Sequence, residues 1–210
     1  MADDFNRRLT LFGQEIAQRG DFTHDWFTNR IESLEEVLGP LEGRKGRLLE
    51  IGSFEGLSTC YFLWRLADAW VTCIDTFEGT AGLPSEGRED LEAAFDRNVA
   101  LVDASRVRKL RGDSKHILLD LADEQGRFDL VYVDGSHRGL DVLIDAALSW
   151  PLVEVGGVVV FDDYGWALLG DDPLLRPGAA IDAFVNLVSD HGQVVFRNRQ
   201  VALRKISDVD

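Results

Sequence analysis

Residues 47–59 read RLLEIGSFEGLST, and the fold turns on this stretch. The apolar run Leu48-Leu49-Glu50-Ile51 stops at Gly52, Gly56 follows four residues later, and a helical pattern opens near Leu57. The pattern predicts a buried strand, a glycine-bearing turn and a helix. Such a turn brings bare backbone N–H groups close to a ligand at a helix N-terminus. A second predicted strand, 70–75, ends in Asp75, 23 positions after Gly52. An acid about 20 positions beyond the glycine turn hydrogen-bonds ribose hydroxyls in a Rossmann-like unit. The two features together predict a nucleoside-containing cofactor. A plain strand–helix turn accounts for Gly56 but not for Asp75.

The glycine spacing narrows the choice of cofactor. A nicotinamide fingerprint needs G-x-G-x-x-G, but Phe54 and Leu57 hold the required positions after Gly52. The pattern present is E-x-G-x-x-x-G, from Glu50, Gly52 and Gly56. On these residues the chain resembles the class I S-adenosylmethionine-dependent methyltransferases. The resemblance implies that Glu50, Gly52, Ser53, Phe54, Gly56 and Ser58 serve the methionine end of S-adenosyl-L-methionine. It implies that Asp75, Thr76 and Phe77 serve its ribose.

Composition sets outer bounds. A chain of 210 residues is long enough for an α/β fold with a substantial core. Lys plus Arg total 22 against 37 Asp plus Glu, a net charge of −15 that repels a phosphate backbone. Nucleic acid is therefore not the expected partner, and a small-molecule methyl acceptor is. Cys60 and Cys73 lack C-x-x-C spacing and read as buried reduced thiols. No apolar run approaches ~18 residues, and the first ten residues lack a leader's apolar core. These features predict a cytoplasmic protein with no membrane segment.

The expected architecture is an α/β, Rossmann-like, doubly wound sheet. It has seven mainly parallel strands, a C-terminal antiparallel hairpin and an N-terminal helical cover. The cover takes residues 1–45 and the Rossmann-like methyltransferase domain residues 46–210, as one structural unit. In the cover, Phe5, Leu9, Phe12 and Ile16 fall at helical spacing before Gly20, and Phe27, Ile31, Leu34 and Leu38 before Gly39-Pro40. These apolar faces read as intramolecular cover or as a homodimer surface, and Trp26 and Phe27 read as core. Expected strands are 47–51, 70–75, 106–111, 128–133 and 156–161, then a hairpin of 193–197 and 201–204. Expected helices are 57–68, 87–101, 114–123, 138–149 and 179–189. Continuous apolar strands such as Val158-Val159-Val160-Phe161 suit a parallel sheet buried on both faces.

Ligands of such sheets sit beyond the strands' carboxyl ends. Those ends deliver Gly52, then Asp75, then Gly112-Asp113-Ser114, then Asp134-Gly135-Ser136-His137, then Asp162-Asp163-Tyr164. The strings RGDS, VYVDGSH and VVVFDDYGW narrow the resemblance to the macrocin-type O-methyltransferases, the Methyltransf_24 grouping. Its members are small-molecule O-methyltransferases, many acting on natural products or sugars. The resemblance places Asp113 and Ser114 near the adenine, where either also suits a helix cap.

In the related catechol-type enzymes, an acid ending strand four and an acid–amide pair ending strand five hold magnesium. Here Asp134 matches the first, and the pair is acid–acid, Asp162 and Asp163. Hard oxygen ligands suit Mg²⁺. The alternative is that these acids cap a helix or hydrogen-bond the cofactor. His137, three residues after Asp134, stands where those enzymes carry a base. With Asp134 it forms the expected catalytic pair, and its alternative is a helix-capping role. Tyr164 and Trp166 read as acceptor-stacking aromatics or loop packing, His24 as a residue that reaches the mouth, and 168–177 as an acceptor loop. The leading function is methyl transfer to a hydroxyl oxygen, with magnesium assistance. The alternatives are a cofactor-binding protein without catalysis and a nicotinamide oxidoreductase, which the glycine spacing disfavours.

Overall fold

A computed structural model describes residues 2–79, 90–124, 127–167, 170 and 172–208. Seven strands form one sheet in the order β3-β2-β1-β4-β5-β7-β6. They are β1 Arg47–Ile51, β2 Trp70–Asp75, β3 Val107–Arg111, β4 Phe128–Val133, β5 Val153–Phe161, β6 Gly192–Arg197 and β7 Val201–Lys205. The first five are parallel neighbours, and β7 lies antiparallel between β5 and β6. The helices are α1 Ala2–Phe12, α2 Ile31–Leu38, α3 Leu57–Arg65, α4 Leu91–Val99, α5 Ser114–Asp120, α6 Gly139–Ser149 and α7 Pro177–Leu187.

Strand side chains alternate between the two faces, as a two-residue period requires. Leu48, Leu130, Tyr132, Val158 and Val160 point toward α1–α4, packing with Phe12, Leu34, Tyr61, Phe62 and Phe95. Leu49, Ile51, Val131, Val133, Val159 and Phe161 point the other way, packing with Leu118, Val142, Ala146, Ile181 and Phe184. Both faces are covered, which explains the uninterrupted apolar strands. The N-terminal residues share the first cluster, so the cover is built into the core of the sheet.

Three features add to the expected pattern. Strand β5 begins at Val153 and carries Gly156 at φ 95°, beside a register shift against β4 between Phe128 and Leu130. The glycine pair Gly156-Gly157 absorbs an irregularity within the strand rather than starting it. Helix α1 widens into a π-helical turn at Gly13–Ala17, where Ile16 is buried. The hairpin loop is Asn198-Arg199-Gln200, since Arg197 pairs with Val201. Asn198 Oδ1 accepts from the Gln200 N–H at 2.9 Å and closes the loop. Residues 87–89, the expected start of α4, lie outside the described residues.

Candidate active site

Strands β2 and β4 flank β1, and the chain crosses from one side of β1 to the other between β3 and β4. This switch point opens a crevice at the carboxyl ends of the strands. A cavity of about 460 Å³ lies there. Its walls include Gly52 and Phe54 after β1, Asp75 and Thr76 at the end of β2, and Gly112 to Lys115 after β3. Asp134 to Arg138 after β4, with Asp141 and Asp145 of α6, line it as well. That volume suits a small organic ligand.

Asp75 fastens the mouth. Its Oδ2 accepts the backbone N–H groups of Ser53 at 2.8 Å and Phe54 at 2.7 Å, and its Oδ1 accepts that of Phe77 at 2.6 Å. Phe54 and Phe77 both stand at positive φ, 46° and 55°. Such backbone is costly for a residue with a Cβ and persists only where its surroundings hold it. One carboxylate therefore holds two strained turns. Burial pushes its pKa up, against the lowering effect of the three N–H donors. Gly52, at φ 87°, is required by packing: a Cβ there would stand 2.2 Å from the Asp134 carbonyl oxygen. Gly56, at φ 83°, begins α3, and its Cβ would meet the Phe95 ring at 2.9 Å.

Several residues assigned to the cofactor lie elsewhere. Glu50 shares a strand face with Leu48 and points under α3, fully buried, where the hydroxyls of Ser58 and Thr59 donate to it. The period-two alternation thus takes Glu50 out of the cavity, and Ser58, on α3, is held beside it as its donor. Burial raises the Glu50 pKa, so it joins β1 to α3 as a buried polar link. Gly56, Phe77 and the Ser53 side chain also stand back from the cavity wall. Gly52, Phe54, Asp75, Thr76, Asp113, Ser114 and Asp134 do line it.

At the β3 end, Asp113 caps α5 by accepting the Lys115 N–H at 3.1 Å. The Lys115 side chain, 2.9 Å away, holds its carboxyl below the usual range. Ser114 Oγ donates to Asp145 Oδ1 at 2.6 Å. Asp145, unforeseen in the sequence, is 2% exposed, and burial pushes its pKa from 3.8 to about 7. The folded value lies above the unfolded one, so folding penalises the ionised form. Stability is lost as pH rises from 3.8 through about 7. Asp145→Asn, which keeps an acceptor for Ser114, should raise Tm by several degrees at pH 8 and by less than half as much at pH 5. Equal differences at both pH values in calorimetry would contradict this.

The acids after β4 and β5 converge. One oxygen from each of Asp134, Asp162 and Asp163 lies within 4.8 Å of the others. Burial, then the charges of Asp162 and Asp163, hold Asp134 well above the usual carboxylate range. Asp162 is raised by burial and by Asp163. Its Oδ1 accepts from Tyr132 Oη and Gln200 Nε2, each at 2.6 Å. His137 Nε2 lies 3.1 Å from Asp163 Oδ2, and its Nδ1 is buried without a partner. The His137 ring packs on Trp166 at 4.4 Å between centroids. Arg30, from the turn before α2, reaches Asp162 at 3.2 Å and Asp163 at 3.8 Å. Three crowded carboxylate oxygens, with Asp134 and Asp162 raised in pKa, fit a hard divalent cation, which would relieve their repulsion.

The aromatic assignments divide. Trp166 belongs to the site through His137. Tyr164 turns away: its hydroxyl lies 3.2 Å from Asp182 and accepts from Arg197 Nη1 at 3.0 Å, and the Arg197 guanidinium stacks on its ring. His24 stacks on Trp26 at 4.6 Å, and Trp26 leans on Phe54 at 5.3 Å, so both reach the rim of the glycine turn. Trp26 is 50% exposed rather than core, whereas Phe27 is buried. Part of the expected acceptor loop, residues 168, 169 and 171, lies outside the described residues.

Arg30, Gln200, Tyr132 and Asp145 were not foreseen. Arg30 and Gln200 reach the site from segments with no local motif. Tyr132 was legible only as an apolar strand residue, though its parity with Leu130 fixes its face. Asp145 lies one helical turn beyond Asp141, which could have marked a cavity-facing stripe on α6.

Comparisons with known proteins agree with this layout. The O-methyltransferase hkm8 of Aspergillus hancockii is 30% identical over 125 residues, 59% of this chain and 44% of that protein. MycE methyltransferase from the mycinamycin biosynthetic pathway, solved with Mg, SAH and mycinamycin VI, superposes with a TM-score of 0.66 at 19% identity. The match covers 94% of this chain and 53% of MycE. Cofactor-bound Rv0187 from MTB superposes with a TM-score of 0.61 at 15% identity, over 97% of this chain and 90% of that one. The two structures share the fold. This chain spans less than half of the Aspergillus protein and about half of MycE. No described helix is long and apolar enough to cross a membrane. The Methyltransf_24 family model, described as a methyltransferase domain, matches residues 49–164, more than half of the chain, and the protein belongs to that family.

Proposed function

We propose that this chain transfers a methyl group from S-adenosylmethionine to a hydroxyl oxygen of a small molecule, of the natural-product or sugar class, with magnesium at Asp134, Asp162 and Asp163. The observation that carries the reading is one cavity that has the Asp75-held glycine turn on one wall and the His137–Asp134 end on another. The names of the Aspergillus relative and of MycE, and the Mg, SAH and mycinamycin VI bound to MycE, support the same chemistry. The net charge of −15 favours a small acceptor over nucleic acid. Two buried unpaired cysteines, Cys60 and Cys73, support a reducing, cytoplasmic setting.

S-adenosylmethionine supplies a methyl carbon already activated by its sulfonium. The chain must then bind, align and deprotonate. Asp75 holds the turns at 53–54 and 77 and presents its remaining lone pairs to the ribose. Donation from His137 Nε2–H to Asp163 leaves Nδ1 as the free base, and that nitrogen takes the acceptor's hydroxyl proton. Trp166 fixes the ring plane. When bound, magnesium supplies Lewis acidity that lowers a hydroxyl's pKa. Alignment in a water-poor cavity carries much of the remaining acceleration.

The test is transfer of a labelled methyl group to a panel of macrolide sugars, catechols and simple glycosides. Turnover on at least one hydroxyl acceptor, lost in EDTA and restored by Mg²⁺, is expected. Full activity in EDTA would leave the three acids as hydrogen-bonding groups. No transfer to any acceptor, with cofactor bound, would favour a binding protein without catalysis.

A further inference from the structure

The acid cluster already holds a cation of the chain's own. Arg30 closes the short turn Thr28–Arg30 and leads directly into α2, so it enters from the N-terminal cover. Its Nε stands 3.2 Å from Asp162 Oδ2, and its Nη2 stands 3.8 Å from Asp163 Oδ1. The side chain is 18% exposed, and the Nε–H is buried without a well-aligned hydrogen bond. The other Asp162 oxygen, Oδ1, is taken by Tyr132 and Gln200, and Asp163 Oδ2 is taken by His137. A divalent ion that uses one oxygen of each acid therefore meets Arg30 on Asp162 Oδ2 and beside Asp163 Oδ1.

We infer that Arg30 is a built-in competitor for the metal: its guanidinium occupies the face of Asp162 and Asp163 that the divalent ion needs, and it must withdraw for the ion to bind. This rests on the magnesium reading above. A guanidinium and a divalent ion drawn to the same oxygens repel each other at contact distance. The guanidinium is also a poor fit, since its Nε–H gains no aligned bond in exchange for burial. Arg30 thus keeps the acids compensated while no metal is present and lowers the site's affinity for metal. The cover, remote in sequence from all three acids, thereby sets metal affinity.

The test is calorimetric titration of Mg²⁺ and Mn²⁺ into wild type and Arg30→Gln, with no acceptor and no turnover. Arg30→Gln should bind either ion at least tenfold more tightly. Its metal-free Tm should fall, and added Mg²⁺ should raise its Tm more than that of wild type. Arg30→Lys, which keeps the charge but loses the fork, should bind about threefold or more tightly. It carries the test if Arg30→Gln does not fold. Equal or weaker metal affinity in a folded variant overturns the inference while leaving the magnesium site in place. No metal binding by any of the three proteins removes the magnesium reading, and this inference with it.

Discussion

His137→Ala is expected to lower methyl transfer by about 10²–10⁴-fold, the usual span for loss of a general base. The geometry gives the reason. Nε2 is engaged with Asp163 at 3.1 Å, Nδ1 is buried without a partner, and the ring is braced by Trp166. An imidazole held in one tautomer by a carboxylate is prepared to accept a proton at its other nitrogen. Because His137 contacts Asp163, the substitution must be separated from damage to the acid cluster. S-adenosylhomocysteine affinity and Mg²⁺ affinity should each remain within about threefold of wild type. Full activity of His137→Ala with Mg²⁺ present would make the metal sufficient and leave the histidine a positioning role.

Asp75→Ala is expected to weaken S-adenosylhomocysteine binding by well over tenfold. Loss of charge-assisted bonds to the ribose removes roughly 1.5–3 kcal/mol each. The structure adds a second cost that the sequence does not suggest. Three backbone N–H groups, from Ser53, Phe54 and Phe77, lose their acceptor, and two left-handed turns lose what holds them. Asp75→Asn should be nearly as damaging. Its amide oxygen can serve the Ser53 and Phe54 donors, but its NH₂ then faces the Phe77 N–H. Wild-type affinity in calorimetry for either variant, with the fold intact, would remove Asp75 from the cofactor site.

The sheet was legible because its signals are local. Leu48-Leu49-Glu50-Ile51 stops at a glycine, and the strand ends of 47–51, 70–75 and 128–133 coincide with β1, β2 and β4. The polar residues at the strands' carboxyl ends were legible for the same reason, and Asp134, Asp162, Asp163 and His137 do meet. The motif string alone does not say which face of β1 Glu50 takes. Strand parity, already visible in the same residues, sends it beneath α3. Arg30 and Gln200 were illegible because their contacts span more than 30 residues of chain. A turn before α2 and a hairpin loop bring them to Asp162, and only the packed cover and the β5–β7 pairing do so. Tyr164 reads like an acceptor-stacking residue from its position after Asp163. Its fate was decided by Asp182 and Arg197, on elements that follow it.

The most direct measurement of the central claim is calorimetric titration of the wild-type chain with S-adenosylhomocysteine, with NADH as the comparison ligand. The cavity at the switch point, the Asp75-held turns and the failed dinucleotide spacing predict saturable one-to-one binding of S-adenosylhomocysteine and none of NADH. Absence of S-adenosylhomocysteine binding by the folded protein, or tighter binding of NADH, would contradict the account.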